Sequence, residues 1–375
     1  MLNEKKLTSY LDSLIKKGIP SVDCIVYREH KQIYRHMNGT VDIEKKEKVR
    51  ADQRYLMFSM TKVQTMTALM QLVEQGKVSL DDEAGKFLPA YRKLQVKDEE
   101  GLRDLAEPLK IWHLVSMQSG LDYDLDRPGI RRVLNEKGQK ATTRELVDAF
   151  VESPLEFVPG THFHYSLSHD VVAAVIEEVS QMSFGEYLKK NLWEPLGMRD
   201  TFFAKPMNDG TERLAQQYIM NEQGIVPMEQ SCNYQLSDSY ESGGAGLISS
   251  TEDYAKLADT LACGGEAADG IRILKPETVE RFKKNLLSET SIEEIASNMG
   301  RKGYGYGIGM QILMHPEIIG SSAPAGIFGW DGAAGSAIQM DTASKTSFVY
   351  TQHVRNCGMA YDTIHPTLRD IIFGQ

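Results

Sequence analysis

The chain has 375 residues, 41% of them hydrophobic and 25% charged, enough for a full core and two structural regions, and this composition argues against long disorder. Its 42 basic and 52 acidic side chains leave a net charge of -10, and no block of Lys and Arg could follow a phosphate backbone, so no nucleic-acid partner is expected. No run approaches the ~18 apolar residues that a membrane span requires, which argues against a membrane partner.

In chain order, the first segment carries Leu7, Leu11, Leu14 and Ile15 at helical spacing with charges between them. That pattern predicts an amphipathic helix, not the unbroken apolar core of a signal peptide. The cysteines Cys24, Cys232, Cys263 and Cys357 are scattered without metal-ligand spacing. Together these features lead us to expect a cytoplasmic protein with reduced thiols. VDCIVYREH and KQIYRHMNG then flank a polar turn and predict a hairpin, and RYLMFS is a third strand-like run.

From about residue 60 to 200 the periodicity is mostly helical. Val63, Met66, Met70 and Val73 share one face, Leu146, Phe150 and Val151 suggest a second helix, and VVAAVIEEVSQ and FGEYLKKNLW supply two more. Near residue 300 the pattern reverts, with GYGYGIGMQILM, GSAIQMDT and KTSFVYTQHV reading as strands and TLRDIIFGQ as a closing helix. An α/β (α+β) fold explains this order: residues 1–60 and 240–375 form a sheet domain, and a mainly helical 61–239 is inserted between them, with the active site at the interface.

The junction at residue 59 carries the chemistry. Ser59-Met60-Thr61-Lys62 lies where a strand-like run gives way to a helix, and a spacing of three puts Ser59 and Lys62 on one face. Ser59 could merely cap the helix, with Lys62 solvated. A lysine in a first turn, however, opposes the helix dipole. The second copy of the spacing, Ser13 and Lys16, sits inside a polar-flanked helix and calls for no function. A serine needs a neighbouring base to become a nucleophile. Lysine can serve if burial or a nearby charge lowers its pKa, since remaining neutral at pH 7 otherwise costs roughly 4.6 kcal/mol. Alternatively, a charged Lys62 could favour the phenolate of a nearby tyrosine, which would then take the proton.

Tyr165, in PGTHFHYSLSHD, is such a tyrosine, and with it the sequence resembles a known family. SMTK, HLVSMQSGL, PGTHFHYS, WEPLGM and ESGGAGLISS, in this order, resemble the serine β-lactamase and penicillin-binding-protein superfamily, closest to its class C β-lactamase and family VIII carboxylesterase branch. The resemblance runs from about residue 20 to the C-terminus and implies an antiparallel sheet flanked by helices with an inserted helical domain. It implies that Ser59 is acylated, that Lys62 is its proton partner and that Tyr165 is the shared general acid and base. The backbone N–H groups of Ser59 and Ala333 would form the oxyanion hole, and no metal or other cofactor is implied.

The pattern departs from the family at the strand that usually carries Lys-Thr-Gly. Here FGWDGAAGS places Trp330, Asp331 and Gly332 there, so either Trp330 offers an apolar wall or Asp331 a negative charge, and neither attracts an anion. Gly332 would let substrate approach the backbone. Lys345-Thr346-Ser347 is a near match that reads as ordinary strand surface. The family's Tyr-x-Asn element, which helps bind an amide side chain, reads Tyr165-Ser166-Leu167 here, so the resemblance places Leu167, in place of the Asn, against the substrate. Tyr123, in SGLDYD, could line the entrance or lie on a surface loop. His162, His164 and His169, with Asp170 adjacent, offer an H-x-H pair for zinc, but no further ligand motif accompanies them. GYGYGIG fits no nucleotide-binding pattern, and GAAGS lacks the first glycine of a nucleophile elbow. The sequence therefore predicts a serine hydrolase, foremost a carboxylesterase for small or medium uncharged esters. An acyltransferase, a β-lactamase or peptidase, and a catalytically silent binding protein are the alternatives.

Overall fold

The two ends of the chain meet in one sheet. A computed structural model describes residues 2–99, 101–204, 212–232 and 234–374. The N-terminal hairpin pairs Ser21–Arg28 with Lys31–Asp42 across Glu29 and His30. Both turn residues take left-handed φ, 50° and 66°, as a two-residue hairpin turn requires. Thr346–Thr351 pairs with the free edge of Ser21–Arg28, and Ala337–Asp341, Phe328–Asp331, Gln311–Leu313 and Tyr304–Tyr306 follow it outward. With Glu47–Lys48 at the other edge, this makes an eight-stranded sheet, antiparallel throughout.

Successive strand residues point to opposite faces, and both faces are covered. Val22, Cys24, Val26, Phe348 and Tyr350 bury one face against the helices Glu4–Lys16 and His365–Phe373. Leu7, Leu11 and Leu14 form the buried stripe of the first of these helices. Ile25, Ile338 and Val349 bury the other face, where Thr251–Ala262 packs. Residues 21–26 are therefore buried without interruption, as expected of a strand enclosed on both sides.

Thr61–Glu74 is buried from Thr61 to Leu72, because Ser168–Ser180 lies along it and the strand Phe328–Asp331 abuts its first turn. A helix buried around its whole circumference belongs to a core, and one hydrophobic cluster joins Val63 and Met66 to Val171 and to Trp330 and Ile338 of the sheet. The stretch between residues 61 and 239 also contains the hairpins Gln95–Asp98/Gly101–Asp104 and Tyr218–Asn221/Gly224–Pro227.

Two expected strands differ from their reading. RYLMFS keeps strand geometry over Arg54–Leu56 alone, and joins Leu247–Ser250 and Phe202–Phe203 in a separate three-stranded sheet. GYGYGIGMQILM is itself a hairpin, reversing at Gly309, whose φ is 69°. Lys345 lies in a turn at φ 49° and Thr346 and Ser347 are buried, so that near match is not strand surface.

Gly329 shows how tightly the sheet holds its functional end. A Cβ there would lie 2.0 Å from the carbonyl oxygen of Ile338 on the adjacent strand, and backbone cannot yield as a flexible side chain would. Gly329→Ala is expected to cost ~1–3 kcal/mol or more by forcing these strands apart, measured as a lowered urea midpoint, with Trp330 displaced beside it.

Candidate active site

The turn before the helix aims the serine. Phe58, Ser59 and Met60 form a single 3₁₀ turn feeding Thr61–Glu74, and Phe58 has φ 47°. Left-handed backbone costs a bulky residue about 1–2 kcal/mol. Surrounding contacts hold it there: Phe58 is fully buried, Tyr234 meets its ring edge-on at 6.1 Å, and the Arg355 guanidinium lies 5.0 Å from its ring centre. Ser59 is left half-buried at the rim of a cavity.

Lys62, one turn on, is 0% exposed. Its Nζ lies 2.7 Å from the Gly244 carbonyl oxygen, 3.2 Å from Ser59 Oγ and 3.4 Å from the Tyr123 hydroxyl. Burial pushes its pKa down to about 7, against the opposing pull of the Asp170 and Asp331 carboxylates. A neutral amine suits this shell: it donates to Gly244 and keeps a lone pair for the Ser59 hydroxyl.

Tyr165 reaches the same point from the loop preceding Ser168–Ser180. Its hydroxyl is hydrogen-bonded to Ser59 and accepts from Trp330 Nε1 at 3.2 Å. Its ring lies 4.6 Å from Lys62 Nζ and stacks between Tyr123 and Trp330, with centroids 5.7 and 5.6 Å away. Burial raises its pKa well above that of free tyrosine, which the hydrogen bonds from Ser59 and Trp330 only partly offset. Ser59, Lys62 and Tyr165, separated by up to 106 positions in sequence, thus meet within hydrogen-bonding reach.

The cavity has a volume of about 540 Å³, and Ser59, Tyr123, Tyr165, Trp330, Asp331 and Ala333 line it. Trp330 and Asp331 both face it, so the strand's alternation breaks at its end. Two expected contacts are corrected. Leu167 is 3% exposed and packed in the hydrophobic core, away from the cavity lining, because the backbone turns inward there to start a helix. Gly332 is also not a lining residue. Its missing Cβ leaves room for the Met57 carbonyl oxygen, which would lie 2.4 Å away, so it serves close packing of the serine turn and not substrate approach. The histidines diverge: His162 pairs with Glu294, His164 with Glu156, and His169 is buried.

Sequence reasoning passed over several participants. Asp170 is fully buried beneath Lys62. Its Oδ1 accepts from Tyr240 and Ser242, each at 2.7 Å, while desolvation raises its pKa and the lysine opposes that rise. The ESGGAGL landmark supplies this support, through Ser242 and the Gly244 carbonyl. A Cβ on Gly243 would lie 2.3 Å from the His169 carbonyl oxygen, and one on Gly244 would lie 2.7 Å from Asp170 Oδ2. The run of small residues Ser242-Gly243-Gly244-Ala245-Gly246 was the available signal. Tyr234 and Arg301, from loops, and Tyr361, from the helical turn Ala360–Ile364, also line the cavity, and no sequence pattern distinguishes them.

The family model described as Beta-lactamase matches residues 5–357, and the chain belongs to that family. Among curated relatives, esterase EstB of Burkholderia gladioli is 27% identical over 407 aligned positions, covering 100% of this chain and 97% of that protein. ML-236A carboxylate methylbutanoyltransferase mlcH of Penicillium citrinum is 28% identical over 267 positions, covering 66% of this chain and 63% of that one. Among solved structures, EstCE1, described as a hydrolase with promiscuous acyltransferase activity, superposes with a TM-score of 0.82 at 24% identity, covering 99% and 98% of the two chains.

The electrostatics set a pH dependence. Below about 7 the lysine is an ammonium and cannot accept a proton, so fluorophosphonate labelling of Ser59 is expected to rise as pH passes upward through about 7. Asp170→Asn removes a carboxylate that favours the charged lysine and should move this midpoint to lower pH. A pH series of labelling rates on both proteins checks the direction.

Proposed function

We propose that the protein is a carboxylesterase that acts on small or medium uncharged esters through an acyl-enzyme on Ser59. The observation that carries this reading is a buried Lys62 with a lowered pKa, 3.2 Å from the Ser59 hydroxyl oxygen. Ser59 Oγ attacks the ester carbonyl carbon while its proton passes to the Lys62 lone pair. The negative charge that develops on the carbonyl oxygen is held by the Ser59 and Ala333 backbone N–H groups, both at the cavity wall. Tyr165, kept as a phenol by burial, gives its proton to the departing alkoxide and recovers one directly from the lysine ammonium, whose Nζ lies 4.6 Å from its ring centre. The ester C–O bond breaks, the alcohol leaves, and water attacks the acyl carbon by the reverse proton path. A location in the cytoplasm is part of this proposal. Among the described residues no helix is long and apolar enough to cross a membrane.

A second reading, acyl transfer, has the same first half-reaction. Similarity to mlcH, a methylbutanoyltransferase, and to EstCE1, a hydrolase with promiscuous acyltransferase activity, favours it, as does a cavity with room for an acceptor after the first alcohol departs. β-Lactamase or peptidase activity ranks lower, because Trp330 stands where a basic strand residue would hold a substrate carboxylate.

Chromogenic esters of increasing acyl length, with and without added alcohols, test both readings. Ser59→Ala is expected to abolish turnover and the mass shift of the acylated protein. Tyr165→Phe is expected to lower kcat by about 10²–10⁴-fold. Ester product from the added alcohol measures transfer, and turnover surviving in Ser59→Ala, or nitrocefin cleaved faster than any ester, contradicts the proposal.

A further inference from the structure

One wall of the cavity holds a cation that the sequence did not reveal. Arg301, from the segment between the helix Glu289–Met299 and the strand Tyr304–Tyr306, lines the cavity beside Trp330, its guanidinium 5.9 Å from the indole. It is 8% exposed and forms an ion pair with Asp331, which is also 8% exposed. Its Nε has no hydrogen-bond partner among the described residues. An arginine lining a site that opens onto Ser59 would be expected to capture a carboxylate. Asp331 already occupies it. Asp362 also lines the cavity, and among its described lining residues Arg301 is the sole cation, so the two carboxylates outnumber it.

We infer that Asp331 acts as a charge lock, neutralising Arg301 so that the cavity admits neutral esters and refuses anionic ones. This rests on the esterase reading above and names the residue pair that sets its substrate class. A carboxylate entering near Arg301 must compete with a covalently tethered one that is already desolvated, and meets repulsion from Asp331 and Asp362. A neutral ester meets neither cost. Removing either partner should therefore act in opposite directions. Asp331→Asn frees the guanidinium for an anionic substrate. Arg301→Gln leaves Asp331 unbalanced and strengthens the repulsion.

The experiment uses two matched ester pairs on the full-length protein, so that the charge lies on either side of the scissile bond: para-acetoxybenzoate against its methyl ester, and the para-nitrophenyl ester of terephthalic acid against that of its monomethyl ester. The readout is the ratio of kcat/KM for the neutral over the anionic member. Wild type is expected to favour the neutral member by about tenfold or more in at least one pair. Asp331→Asn should lower that ratio by about tenfold and Arg301→Gln should raise it. Uncompensated buried charge destabilises proteins, so thermal melting accompanies each variant. If Asp331→Asn does not fold, the direction of the Arg301→Gln change decides. A wild type indifferent to charge, or variants that leave the ratio fixed or move it the same way, overturns the inference while the esterase reading stands. A wild type that cleaves no member of either pair and does not acylate Ser59 sinks both.

Discussion

The site depends on a lysine held out of water. An ammonium ion needs either solvent or a close anion, and Lys62 is enclosed by a carbonyl, two hydroxyls and aromatic faces, with its nearest carboxylates in an outer layer. Desolvation therefore favours the neutral amine, and a neutral amine beside a serine hydroxyl is a base. Had Asp170 stood in direct contact, the ion pair would have kept the proton on lysine and removed its basicity. Its placement behind the Gly244 turn, tied down by Tyr240 and Ser242, leaves enough attraction to make burial tolerable without undoing its effect.

That environment exists because segments distant in sequence are fastened to one another at the end of the sheet. The serine turn abuts Gly332, the tyrosine is hydrogen-bonded to Trp330 on the strand that ends just before that glycine, and the glycine loop closes over the lysine. Small residues sit wherever two backbones approach, and aromatic rings sit wherever a side chain must be oriented. Phe58 stores backbone strain at the nucleophile, and the Tyr234 and Arg355 contacts with its ring sustain it. Rigidity of this kind is what a proton-transfer site needs, since displacements near 1 Å can cost about 10²-fold in rate.

The sequence displayed the covalent participants and concealed their electrostatic support. Ser59 and Lys62 were visible because their spacing coincided with a change in periodicity, and Tyr165 because it lay in an ordered series of landmarks. The terminal hairpin, the amphipathic first helix and the closing helix followed from local patterns that tertiary packing reinforced. Arg301 and Asp170 were hidden because a lone charged residue, whether in a loop or in the first turn of a helix, looks the same solvated or buried. Leu167 and Gly332 misled for a related reason: position beside a functional residue does not fix which way a side chain, or the space left by its absence, will face. GYGYGIGMQILM looked continuous because apolar residues flank its turn, and glycine gave no sign of which of its four positions would reverse the chain.

The central claim is that the fold desolvates Lys62 and brings its pKa down to about 7, so that a large share of it is neutral amine at physiological pH. Selective carbon-13 labelling of lysine, with the Lys62 side-chain resonance assigned by Lys62→Met and followed by NMR across a pH series, measures this directly. The account predicts a titration midpoint near about 7. A midpoint that stays near the ~10.4 of a solvated lysine would contradict it.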